Sequence, residues 1–482
     1  MQKDYCTLKT ENNYYVYNFI SQTFKIITFA TYKIVNYIQE REIKEETLSY
    51  RKLSSISAFH EFSVEELSTA IREIESITTH ITAQKKQLRF IEYQEFSKVD
   101  VLSSLANTKQ IVLELTRECN LSCFYCCYGN LYSHKKDDCK KSFSGNSLLF
   151  LKKILELKMS MPRYYVSNEF FITFYGGEPL CAFTAIEEIV QEVAKTVGNR
   201  FAIRYSMTTN GVLLRKYIKF LVTNNFKISV SMDGNAHHHA YRVFPNGKES
   251  FGIIEDSLIQ IKQEYPDFFQ NNIDFISVLH NKSNYIEILN YFKQFGKVPT
   301  FTPLSTNNVK LSKKREFPNF TYKGIKQEEI SIIKREYPEY YYDHFNMKEL
   351  IRPYCSTPHK NILGLFGKTQ GIYPGKSCLL FSNKVFITNS GLLFPCEKTD
   401  REYCFGKVSE KGIAIYTKRI NQCYKEISTN YSQNCNNCYR NRMCGECYFL
   451  DKSKIITKRC QKSITDIIFE VEDAVAKNEM TI

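Results

Sequence analysis

No uninterrupted apolar stretch in these 482 residues approaches the roughly 20 that a membrane-spanning helix needs. The N-terminus, Met1 to Thr7, lacks the charged and then apolar layout of a secretory signal, and the first hundred residues hold no cysteine except Cys6. These absences argue against a membrane partner and for a reducing, cytoplasmic compartment, where 17 cysteines mean clusters or metals rather than disulfides. Acidic residues are also short, 51 Asp and Glu against 65 Lys and Arg, which leaves a formal charge of +14. The lysines are scattered, so most of this excess reads as a solvated surface and no nucleic-acid partner is expected. A composition 43% hydrophobic and 24% charged is that of a globular chain, and its length calls for two to four domains.

The first hundred residues read as an accessory block. Tyr14 to Phe19 and Phe24 to Phe29 are β-prone runs around a short polar link, and a helical segment from about Tyr32 to Gln39 follows, predicting a hairpin and then a helix. Ser63-Val64-Glu65-Glu66 is a capping box, with Phe62 and Leu67 placed as its hydrophobic staple, and predicts a helix from Val64 to Ser76. From about Gln110 to Leu304 short apolar runs alternate with helical patterns, which predicts βα units and a parallel sheet. The expected strands are 111–115, 170–175, 202–207, 227–232, 273–279 and 300–303. Six units are too few for a closed eight-fold barrel, so the fold class expected is α/β with an open, partial (β/α)6 barrel, its chemistry gathered at the C-terminal strand ends.

Cys119, Cys123 and Cys126 follow the first of these strands. At this cysteine content one specified C-x3-C-x2-C triplet is expected by chance about 0.02 times. The loop is too tight for three core thiols, but it lets three thiolates converge on one cubane face and leaves a fourth iron open to a chelating small molecule. Gly176-Gly177-Glu178-Pro179 follows the second strand, Thr208-Thr209-Asn210-Gly211 the third and Asp233-Gly234 the fourth. Alone, Gly-Gly and Asn-Gly are turn dipeptides. Their order along successive strand ends favours a ligand site, since glycines let a backbone approach a ligand while carboxylate and guanidinium supply charge-assisted bonds. Arg242 reads equally well as a loop Arg. Cys127 reads as a packing thiol, and His237-His238-His239 as a loop of mixed exposure rather than a zinc site.

A second constellation is C-terminal: Cys378, Cys396, Cys435-x2-Cys438-x5-Cys444-x2-Cys447 and Cys460. Paired CxxC units alone would read as a zinc ribbon, but seven thiols exceed one zinc site.

With Cys119, Cys123, Tyr125 and Cys126 standing as C-x3-C-x-aromatic-C and Gly176 to Pro179 as GGEP, the chain resembles the radical S-adenosylmethionine (SAM) enzymes, and its C-terminal cysteines resemble their SPASM extension. The resemblance implies three [4Fe-4S] clusters and SAM. Cys119, Cys123 and Cys126 would hold the SAM cluster, Glu178 and the glycine backbone the methionine amine, and Asn210, Ser231 and Arg242 the ribose and carboxylate. Cys435, Cys438, Cys444 and Cys460 would hold a distal auxiliary cluster, and Cys378, Cys396 and Cys447 a proximal one. Two residues between Cys444 and Cys447, where the family more often has three, depart from the pattern. Either Cys355 supplies the proximal cluster's fourth ligand, the reading favoured on chemical economy, or the site stays open to a substrate thiolate. Glu397 stands where sulfatase-maturing relatives carry a basic carboxylate; its plain alternative is a solvent-facing Glu.

The implied organisation is a hairpin and winged-helix-like leader-peptide recognition domain at 1–105, a radical SAM partial barrel at 106–305, a bridge at 306–352, a SPASM domain at 353–465 and a C-terminal helix at 466–482. One electron, from a donor such as flavodoxin or ferredoxin, would release a 5′-deoxyadenosyl radical that takes a hydrogen atom from substrate. Three functions are compatible. The leading one is maturation of a ribosomally made precursor peptide with a leader, by a thioether, carbon–carbon or ether cross-link. The second is sulfatase maturation to formylglycine, although those enzymes usually place the SAM loop near the N-terminus. The third is a basic multi-zinc nucleic-acid-binding protein.

Overall fold

A computed structural model describes residues 5–9, 13–18, 23–41, 48–87, 93, 95–132, 146–161, 169–305, 309–338, 380–381, 383–435, 447–449, 452 and 456–457. The chain forms two compact units, one of 1–94, 341–377 and 424–482, the other of 95–340 and 378–423.

In the first unit β1 (Tyr5–Lys9), β2 (Tyr14–Asn18) and β3 (Thr23–Ile27) form an antiparallel meander in that order. The expected hairpin is β2–β3, and β1 adds a strand that five residues of mixed polarity did not announce. The helix Phe29–Glu40 follows, its first turn capped by the Thr28 side chain. The box at Ser63 forms as its spacing predicts: Ser63 N–H donates to Glu66 at 2.8 Å and Glu66 N–H to Ser63 Oγ at 3.2 Å. The helix it opens runs Val64–Gln87, past the predicted Ser76, because Ile74 and Ile77 extend the apolar stripe that Leu67 and Ala70 begin. Phe62 packs on the same cluster, as a staple should.

The second unit is built on one sheet in the order β13-β12-β11-β10-β4-β5-β6-β7-β8-β9. Its six central strands are β4 (Gln110–Thr116), β5 (Glu169–Gly176), β6 (Ala202–Thr209), β7 (Lys227–Ser231), β8 (Ile273–Leu279) and β9 (Thr300–Pro303), matching all six predicted runs within two residues. Each pairs in parallel with the next, and helices cross between them, at Ser147–Ser160, Phe183–Val197, Leu214–Thr223, Phe251–Glu264 and Tyr285–Phe292. β4 is buried from Ile111 to Thr116, as a strand covered on both faces must be, and apolar there except for Glu114 and Thr116. On its free edge β10 (Lys384–Ile387) adds in parallel, and β11 (Leu392–Phe394), β12 (Gly406–Ser409) and β13 (Gly412–Ile415) continue antiparallel. The open (β/α)6 sheet is therefore as expected, but its first edge is extended by four strands from beyond residue 380.

The unit begins at Glu95, ahead of the expected barrel start, because the helix Lys98–Ala106 belongs to it. Buried Lys158, on the first crossover helix, ties that helix's end to the chain entering β4 by donating to Ala106 O and Thr108 O, each at 2.8 Å. Among the described residues no helix is long and apolar enough to cross a membrane.

Candidate active site

The loop after β4 carries Cys119, Cys123 and Cys126, all free thiols. Its backbone is stitched to the chain after β7, with Ser122 N–H donating to Val243 O at 2.7 Å and Phe124 N–H to Tyr241 O at 2.9 Å. Each sulfur meets N–H donors. Cys119 Sγ lies 3.4 Å from Leu121 N and 3.6 Å from Asn210 Nδ2, Cys123 is bonded by Arg242, and Cys126 by the Tyr128 and Gly129 amides. Burial pushes the Cys119 thiol up to about 12, so thiolate formation here needs a compensating cation or metal.

Gly176 and Gly177 serve the same loop. Gly177 N–H donates to Thr116 O at 2.8 Å and Glu178 N–H to Glu118 O at 3.0 Å. A Cβ on Gly177 would stand 2.3 Å from Glu118 O and one on Gly176, with φ +147°, 2.1 Å from Thr116 O. The close approach that demands glycine is thus between two strand ends. The Glu178 carboxylate is 0% exposed and accepts from Leu180 N–H, Thr209 Oγ1–H and Asn210 N–H at 2.7–3.0 Å. Burial raises its pKa to about 7. These bonds join the GGEP turn to the end of β6. Asn210 completes the join, donating to Asn120 Oδ1 at 2.7 Å.

Arg242 is likewise buried. It is no loop Arg facing solvent but 7% exposed, and grips Asp233, 0% exposed, through Nε at 3.0 Å and Nη2 at 3.1 Å. Asp233 also accepts from Val278 N–H at 2.9 Å and from the Tyr125 hydroxyl. Burial works to raise the Asp233 pKa, but Arg242 outweighs it and holds the carboxyl below its ordinary value. Asp233 N–H donates to His239 Nδ1 at 3.3 Å, and Ser250 links His239 Nε2 at 3.2 Å to Arg242 O at 2.6 Å. Tyr125 stacks on His280 with 5.8 Å between ring centroids. Asp233, His239, Ser250 and His280 were not singled out from the sequence as members of a site; an Asp-Gly at a strand end was the one signal available. The three consecutive histidines form a helical turn, Ala236–His239, with His238 and His239 buried and His237 exposed. Ser231 is half-buried at the end of β7, and Cys127 is exposed as a residue.

Cys396 and Glu397 follow β11. Glu397, 13% exposed, pairs with Lys384 Nζ at 3.2 Å and accepts from the Cys396 thiol at 3.2 Å, so it is not solvent-facing. Burial raises its pKa and Lys384 lowers it, with a net shift downward; the Cys396 thiol is pushed up to about 12 by burial. Tyr175, half-buried on β5, feels the charges of both Cys126 and Glu397, so the cysteine loop and Glu397 flank one phenol. Of the remaining auxiliary cysteines, Cys435 is buried and Cys447 half-buried, while Cys355, Cys378, Cys438, Cys444 and Cys460 lie outside the described residues.

The Radical SAM superfamily profile matches residues 113–295, the span from β4 to the end of the last crossover helix. The chain thus carries a radical SAM domain. It is 21% identical to the radical SAM cyclopropyl synthase TigE of Paramaledivibacter caminithermalis, over 89% of this chain and 85% of that protein. To the cysteine-type anaerobic sulfatase-maturating enzyme of Clostridium novyi it is 23% identical, over 69% of this chain and 86% of that one. A solved structure of anSMEcpe with bound AdoMet superposes with a TM-score of 0.51 at 17% identity, covering 77% of this chain and 94% of the other, a likeness of fold.

Radical SAM enzymes use SAM and a [4Fe-4S] cluster, and the donor set here suits both. Three thiols on one short loop, each with an N–H donor at its sulfur, are the ligands and hydrogen bonds such a cluster needs. Among the described residues no three ligating side chains already stand in finished metal geometry.

Proposed function

We propose that this radical SAM enzyme matures a ribosomally made, leader-bearing precursor peptide, taking a hydrogen atom from it and closing a thioether, carbon–carbon or ether cross-link. The observation that carries the reading is the reach of the likeness to the cyclopropyl synthase, which leaves only about a tenth of this chain outside and so enters the N-terminal block. That block holds a three-stranded antiparallel meander whose outer strands, β1 and β3, are the edges to which an extended leader adds a strand.

In this reading Cys119, Cys123 and Cys126 hold the cluster that, with SAM, supplies the hydrogen-abstracting radical. Asn210 and Ser231 would contact the ribose and carboxylate, with Glu178 and Arg242 fixing the backbone around them. Cys396 and Cys447, with Cys378 and Cys355, hold the proximal auxiliary cluster of a SPASM domain, and Cys435, Cys438, Cys444 and Cys460 the distal one. Glu397, kept ionised by Lys384, takes a proton from substrate. A flavodoxin or ferredoxin supplies electrons.

Sulfatase maturation is the second reading, favoured by the match to sulfatase-maturating enzymes over 69% to 73% of this chain. Mass spectrometry separates the two. Incubating the reduced enzyme and SAM with the short peptides encoded beside its gene, and with a sulfatase-derived Cys peptide, gives a loss of about 2 Da per cross-link in a neighbouring peptide if the first holds. Conversion of the sulfatase peptide alone overturns it.

A further inference from the structure

The cysteine loop turns one aromatic ring to the surface. Phe124, between Cys123 and Cys126, is 39% exposed. Its ring stacks on Tyr241 at 5.1 Å and tilts against Phe320 at 4.7 Å, while Lys282 Nζ sits 4.6 Å over the Tyr241 ring. The loop Val309–Phe317 borders this group. Val309 and Phe317 are buried in the cluster that contains Tyr125 and Tyr132, and Lys310 N–H is anchored on Leu131 O at 3.0 Å. Between those two anchors the chain presents Lys310, Lys313, Lys314 and Arg315 against a single anion, Glu316, which Lys313 pairs at 2.9 Å. Leu311 stands among them 84% exposed.

An apolar, aromatic centre inside a basic rim is the anatomy of a weak electrostatic docking site. It selects for an acidic partner, because like charges facing this rim would repel. Its position selects further: electron transfer falls steeply with distance, and Phe124 is the exposed aromatic side chain flanked by cluster ligands. We infer that the face formed by Phe124, Leu311 and the basic loop Lys310–Arg315 receives a small acidic one-electron carrier protein, which reduces the SAM cluster. The carrier is oxidised by one electron and the cluster reduced by one, with no bond made or broken. Such redox encounters bury little surface, below about 1,200 Å² in total, so charge rather than area carries the affinity.

The inference rests on the cluster assignment to Cys119, Cys123 and Cys126, and its test keeps the two apart. The reconstituted full-length enzyme and its Lys314→Glu/Arg315→Glu variant, altered at exposed positions, are each titrated with a purified acidic flavodoxin at low salt. Binding to the variant is expected to be at least about tenfold weaker, and wild-type binding to weaken steeply as salt shortens the screening length below about 10 Å. In stopped flow, bleaching of the cluster absorption by reduced flavodoxin slows by a similar factor in the variant, while bleaching by dithionite is unchanged. Affinities within roughly twofold of each other, or equal slowing with both reductants, overturn the docking face. A wild-type enzyme with no iron absorption for dithionite to bleach instead removes the cluster assignment, and the docking face with it.

Discussion

Two carboxylate–cation pairs each touch a cysteine in this enzyme, and they are built differently. Asp233–Arg242 is sealed, bidentate, and saturated by Val278 N–H and the Tyr125 hydroxyl, and it bonds Cys123. Glu397–Lys384 is a single-ammonium contact at the edge of solvent, and its carboxylate accepts the Cys396 thiol. A guanidinium fork fixes geometry, whereas an ammonium on a flexible stem does not. The first pair is a fastening for the cysteine loop. The second is the looser of the two, as the proton-accepting role proposed for Glu397 requires.

The largest effects come from the cysteines the pairs touch. Cys123→Ser removes a radical-cluster ligand and abolishes 5′-deoxyadenosine formation, whereas Cys396→Ser leaves SAM cleavage in place and loses the peptide product. Chromatography of both products tests this, and loss of SAM cleavage in both would erase the distinction. Next is Asp233→Asn, which strands a buried guanidinium and costs about 3–5 kcal/mol, read from the denaturant midpoint. Glu397→Gln should slow peptide turnover by about a hundredfold or more with a stability change under about 1 kcal/mol, since its partner can turn toward water. A stability loss as large as that of Asp233→Asn would make the two pairs alike.

The smallest effect is on pH dependence. Burial lowers the His239 pKa from 6.5 to about 4, so the folded protein holds this ring neutral while the unfolded chain takes up a proton. Its stabilising share is present above pH 6.5 and is lost as the pH falls through that value toward about 4. Urea midpoints of wild type and His239→Gln across that window should converge as pH falls; parallel curves would remove His239 from the account.

The sheet could be read in advance because Ile111–Leu115 and its five successors are short apolar runs bounded by polar turns, a pattern set by burial alone. The four strands beyond residue 380 could not, being three or four residues long and stabilised by the exposed edge of β4, a partner some 270 residues upstream. The same division runs through the site. Cysteine spacing is local, so the loop at Cys119 was legible. The burial of Asp233 and Arg242 depends on Tyr125 and Val278, which no spacing rule links to them. GGEP was recognised as a motif, but which atoms crowd its glycines was a tertiary fact: Thr116 and Glu118 backbone.

That crowding has an engineering consequence. The two hydrogen bonds from Gly177 and Glu178 to Thr116 and Glu118 leave no room for a methyl group between the strand ends, so the cysteine loop and the GGEP turn are one transplantable cassette. A graft of residues 116–126 onto another parallel sheet would have to bring a Gly-Gly from the neighbouring strand. Without it, the loop would arrive with its ligands and lose the backbone hydrogen bonds that hold its shape.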